Sequence, residues 1–168
     1  MITRAFLISI AIFFSLQANA GRIELIPKLS AELNQLLKVS ENLQNAMVKK
    51  SEDQLDVSIR EMVTQIQRTA SLSVLAKPYE RSHLLKILRS ARENFEMAQG
   101  SFGKERDTHL TDGLNQLVNI VRIYKVDRSY GIFFCPRDKN SWVQRGKKAQ
   151  NPFRSPASTE GCGMRVAD

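Results

Sequence analysis

The residues of this chain best suited to chemistry are two cysteines, Cys135 and Cys162, both within the last 34 of 168 residues. An even number of cysteines in an oxidising compartment points to a disulfide. Such a bond would close a loop of about 27 residues and stabilise the tail by roughly 3–4 kcal/mol. Neither cysteine belongs to a C-x-x-C pair and C-x-x-C-H does not occur, so thioredoxin-like chemistry and covalent haem are not supported. The two histidines, His83 and His109, fall on different predicted helices and form no H-x-x-x-H zinc pair. Met47, Met62 and Met97 read as packing residues at or beside core positions. Serines are plentiful without a G-x-S-x-G elbow. Glu105, Asp107 and Asp112 gather near the start of a helix, where acids favour its dipole without any catalytic role. This inventory points away from an enzyme.

The elements that would position these residues are mainly helical. Ile26, Leu29, Leu33, Leu36, Leu43 and Met47 recur at steps of three and four, with Ser40 in the polar slot, as one face of an amphipathic helix. Ser51 and Gln54 make a capping box for a second helix, with Leu55, Ile59, Met62, Ile66 and Ala70 inward. Lys77-Pro78 breaks it. A third helix begins near Pro78 or Ser82, buries Leu84, Leu88, Ala91, Phe95 and Ala98, and stops at Gly100. A fourth runs from about Glu105 to Tyr124 on Leu110, Leu114, Leu117 and Val121. The expected fold is all-α, an antiparallel four-helix bundle over residues 21–124. Residues 125–168 form a short aromatic tail, too small to fold alone. Ser129–Cys135 and Ser141–Gln144 read as strands of a β-hairpin around a turn at Pro136–Asn140. Irregular structure pinned by few contacts is expected from Arg145 onward. Phe133, Phe134, Trp142 and Phe153 are expected to pack the tail against one end of the bundle.

The first twenty residues read as a secretory signal peptide. Arg4 supplies the positive region and Ala5–Leu16 the apolar run, too short to span a bilayer comfortably. Ala18-Asn19-Ala20 places small residues for cleavage between Ala20 and Gly21. No cysteine follows the cut, which argues against a lipid anchor. The short apolar run and A-x-A site suit a bacterium and a periplasmic destination. No later stretch calls for stable membrane insertion. The formal charge is +8, and loss of Arg4 with the leader lowers it to +7. Export argues against nucleic acid as the target of that charge; a solvated basic face, an anionic lipid or cell-wall polymer, or an acidic partner protein remain.

The tail also carries a resemblance. Phe134-Cys135-Pro136, Trp142, Gln144, Asn151-Pro152-Phe153 and Cys162-Gly163 resemble, in order and spacing, a bacterial extracytoplasmic domain family of unknown function. That family occurs alone or appended to membrane-fusion subunits of copper and heavy-metal efflux pumps. Leu110-Thr111-Asp112-Gly113-Leu114 is similar to its L-S-x-A-L helix segment. The resemblance implies a helical bundle, an efflux or envelope partner, and copper(I) held by soft sulfur ligands, here Cys135, Cys162 and Met164. The chain departs from the pattern at Arg137, where the family has methionine, and at Ser158-Thr159-Glu160-Gly161. A disulfide and a reduced metal-binding pair are thus both open for Cys135 and Cys162. The sequence reads as an exported, non-enzymatic binding or accessory protein. Either it handles copper or another heavy metal with a partly lost site, or its basic tail docks an acidic envelope partner.

Overall fold

The computed structural model describes residues 21–154 and 162–166. The signal-peptide reading, the cleavage residue Ala20 and the Ser158–Gly161 stretch lie outside the described residues. Four helices come first: α1 (Pro27–Lys49), α2 (Glu52–Leu72), α3 (Pro78–Gly100) and α4 (Gly103–Ile123). A three-stranded antiparallel sheet follows, made of β1 (Tyr130–Cys135), β2 (Asn140–Arg145) and β3 (Met164–Arg165), in the order β2-β1-β3. The protein is therefore mostly helical, a helical bundle with a β tail.

Local chemistry explains the helix limits. Pro27 and Pro78 each open a helix at its first turn, where the missing N–H is no loss. Lys50 turns into the left-handed region (φ 53°) to end α1. Ser51 caps α2 by position, but its side chain makes no capping hydrogen bond, so the expected capping box is not formed. α3 does end at Gly100, but Arg106 supplies the stop. Its Nε donates to the carbonyls of Ala98 (3.1 Å) and Ser101 (2.7 Å). Arg106 is buried, and its other guanidinium nitrogens reach Glu52 (2.8 Å) and Asp56 (3.1 Å) at the start of α2. One side chain thus joins three helices at the end of the bundle that holds the α1–α2 and α3–α4 turns.

The predicted apolar stripes converge in one core, in which Leu29, Leu33, Ile59, Met62, Leu88, Phe95, Leu114 and Val121 are among the fully enclosed side chains. At Gly113 of α4 an added Cβ would lie 2.8 Å from the Phe95 ring, so glycine allows α3 and α4 to approach this closely. Two expected core residues are exposed: Ile26, which precedes α1, and Met97, on the outer side of α3.

The tail departs from expectation in its attachment. Strand alternation divides the sheet into two faces. Tyr130, Ile132 and Val143 join the bundle core, making the sheet's inner face a wall of the bundle. Phe133 and Trp142, paired across β1 and β2, belong instead to a second small core with Cys135 and Cys162. Trp142 is fully buried, but not against an end of the bundle as the sequence suggested. Of the remaining tail aromatics, Phe153 packs against the bundle core and Phe134 is half-buried. The stretch after Cys162 is not wholly irregular, because Met164–Arg165 pairs with Phe134 and Phe133 as β3.

Candidate functional site

The tail elements singled out in the sequence meet around the cysteines. β1 ends at Cys135, and the turn Pro136–Lys139 folds back with Lys139 left-handed (φ 57°), its N–H donating to the Cys135 carbonyl at 2.8 Å. The turn thereby carries Asp138 under the sulfur, and the Asp138 N–H points at Cys135 Sγ from 3.4 Å. Cys162 arrives just before β3. The two cysteines are disulfide-bonded, with Cα atoms 5.1 Å apart across 27 positions of sequence.

Trp142 covers this bond from β2. Its ring stacks on Phe133 with centroids 6.0 Å apart, and its Nε1–H donates to Gln144 Oε1 at 2.7 Å. Gln144 then fixes the returning chain: Oε1 accepts from the Gln150 N–H (2.8 Å), and Nε2 donates to the Lys148 carbonyl (2.7 Å). Asn151 is fully buried. Its Oδ1 accepts from the Phe153 N–H at 3.0 Å, forming an Asx turn that aims Phe153 at the bundle. Gly163 lies so close to Ala149 and Trp142 that any larger side chain would displace them. Cys135, Trp142, Gln144, Asn151 and Cys162-Gly163 of the resemblance motif therefore meet in one clasp, while Phe153 packs on the bundle core.

Cys135, Asp138 and Cys162 offer ligand atoms within 4.8 Å of one another. Asp138 is the member that sequence reasoning missed; an acid in a turn carries no local signal of what the turn will face. Met164, the expected third ligand, is 56% exposed and pairs with Phe134, which alternation places on the sheet face opposite Cys135. The structure thus brings together the two cysteines but not the methionine. The carboxylate is already engaged. Arg154 Nε donates to Asp138 Oδ2 at 2.6 Å and its Nη2 to Oδ1 at 2.5 Å, holding the Asp138 carboxyl below its ordinary range. The same hydrogen bonds raise the Arg154 guanidinium. Arg137, beside Asp138, is exposed.

Other candidates have structural partners. His83 Nδ1 lies 3.3 Å from the Tyr124 hydroxyl, which donates to the Glu80 carbonyl at 3.2 Å. Burial pushes Tyr124 up to about 12. Glu80 and His83 are spaced like a carboxylate–histidine metal pair, but the ring faces this tyrosine. Ser101-Phe102-Gly103-Lys104 has a serine–lysine spacing used in acyl transfer, yet it forms the α3–α4 turn with Lys104 exposed. Glu105, Asp107 and Asp112 are exposed near the start of α4. Among the described residues no helix is long and apolar enough to cross a membrane.

The tail surface is basic. Arg137, Lys139, Arg145, Lys147, Lys148 and Arg165 are all exposed. Arg145 stacks over Tyr130, 4.7 Å from its ring centroid, and donates to its hydroxyl at 2.8 Å. Comparison with protein-family models, curated proteins and solved structures finds no match for this chain.

Proposed function

We propose that this chain is an exported, non-enzymatic accessory protein of the bacterial envelope, whose bundle presents a disulfide-clasped basic tail to an acidic partner protein. The observation that carries the reading is the occupancy of the clasp. The two sulfurs are bonded to each other, and Arg154 engages at both oxygens Asp138, the carboxylate that meets them among the described residues. This arrangement supports a rigid platform, and the exposed bases of the tail support an acidic partner. The test is the thiol and metal content of protein recovered from the periplasm. Blocked thiols without bound metal agree with the platform; free thiols with tightly held copper overturn it.

A second reading has its own observation, the convergence of Cys135, Asp138 and Cys162. After reduction these residues, in place of the Cys135, Cys162 and Met164 set, would surround a heavy-metal ion. Such a role fits the efflux-linked resemblance, with a copper(I) site partly lost at Arg137. Copper(I) prefers sulfur to carboxylate, so the Asp138 oxygen is a poor replacement for a methionine.

A further inference from the structure

The end of the bundle opposite the clasp has exposed apolar side chains where a water-facing turn would carry polar ones. Val74 is 62% exposed, Leu75 43%, Tyr79 79% and Ile26 42%. They share one pole of the molecule. Glu32 of α1 meets Gln65 (2.5 Å) and Arg68 (2.8 Å) of α2, so the start of α1 lies beside the end of α2. The Ile23 N–H donates to the Ile123 carbonyl (2.7 Å), and Tyr124 reaches Glu80, so the end of α4 and the start of α3 belong there too. Lys28, Lys77, Arg81 and Lys125 surround this pole against the acids Glu24 and Glu80. The clasp lies toward the other pole, where Asn140, Phe153 and Arg154 line a cleft with Met47, Lys50 and Gly103.

We propose that this pole is a peripheral docking surface for an anionic lipid bilayer. Protruding apolar tips encircled by bases are the chemistry of an interfacial contact: the tips enter the headgroup boundary while the bases meet lipid phosphates. With Lys77 paired to Glu80 and Lys125 to Glu24, Lys28 and Arg81 leave this group with an excess of positive charge, which favours an anionic surface over a second copy of the same pole. Docking here would turn the clasp and its basic tail away from the membrane, leaving them open to a partner. The inference does not depend on whether the clasp ever holds metal.

Vesicle flotation of the chain from Gly21 onward tests the proposal; the core among the described residues draws on nothing before Ile23. The expected result is co-flotation with vesicles containing phosphatidylglycerol, little with pure phosphatidylcholine, and loss of binding in high salt. The triple variant Val74→Ser, Leu75→Ser, Tyr79→Ser should bind at least about tenfold more weakly, given the apolar area withheld from lipid, with unchanged circular dichroism. Lys147→Glu with Lys148→Glu, on the tail, should leave binding as it is. Absence of binding, equal binding by the triple variant, or binding lost only with the lysine changes would each overturn the proposal. So would sedimentation showing that the apolar tips instead hold two copies of the chain together.

Discussion

The Arg154 guanidinium grips both carboxylate oxygens of Asp138, at 2.6 and 2.5 Å, beside the Cys135–Cys162 disulfide. This pair ties the β1–β2 turn to the segment that follows Asn151, two stretches that the sheet alone does not join. Its strength should depend on pH in a defined direction. The hydrogen bonds from Arg154, foremost, lower the Asp138 carboxyl in the folded protein. The stabilisation is then present above the ordinary carboxylate value of about 3.9 and is lost as pH falls through the lowered folded value. Asp138→Asn should be less stable than the unmodified protein at about pH 6, and the gap should close in acid below the usual carboxylate range. Urea denaturation at a series of pH values measures it; a gap that persists unchanged into acid would show that the charge is not what matters.

The disulfide makes a larger contribution. Closing a loop with 27 positions of separation stabilises by about 3–4 kcal/mol in the chain-entropy account. Reduction, or Cys135→Ser with Cys162→Ser, should lower the unfolding free energy by about that amount. Denaturation with and without reductant reads this directly. Because Tyr130, Ile132 and Val143 sit in the bundle core, the loss should appear in a single transition shared by bundle and tail. Two separated transitions would mean that the sheet is an appendage.

Trp142 tests the second core. It stacks on Phe133, lies among the cysteines and gives its one N–H to Gln144. Trp142→Ala should cost about 3–5 kcal/mol through the cavity it leaves. Chemical denaturation checks the value, and a change below about half a kcal/mol would show that the clasp contributes little to the fold.

The helices were legible because their signals are local. Leu29, Leu33 and Leu36 repeat at helical spacing, and Pro78 marks a start by its own chemistry. β1 and β2 were legible for the same reason: a run of aromatics, a turn, and a returning strand. What the sequence hid was non-local. Nothing in Arg106 predicts that it will cap α3 and bind Glu52, 54 positions away. The side to which Trp142 packs depended on which sheet face met the bundle, and alternation defines two faces without naming the inner one. Met164 illustrates the same limit. Two positions from Cys162 it looked like a neighbouring ligand, but pairing with Phe134 turns it to the other face. Asp138 reaches the sulfurs only because the turn at Lys139 carries it there.

The remaining prediction separates the platform from the metal reading, and it turns on Arg137. In the oxidised protein the paired sulfurs offer no thiolate, so copper(I) should not bind at the clasp. After reduction, two thiolates face a carboxylate that Arg154 already engages, and Met164 lies across the sheet. Arg137 adds a fixed positive charge in the same turn, charged at every accessible pH and close enough to lower the Asp138 carboxyl further. A cation entering this site meets that charge with only partial screening. The reduced protein should therefore bind copper(I) weakly, and Arg137→Met should tighten it by removing the charge and adding a thioether. Competition with a copper(I) chelator under reducing conditions, on both proteins, gives the ratio. If the unmodified protein binds as tightly as the variant, the partly lost site is wrong. A metal role would then stand, with Met164 the first candidate ligand, and β3 would have to leave its pairing with β1 to bring that sulfur across.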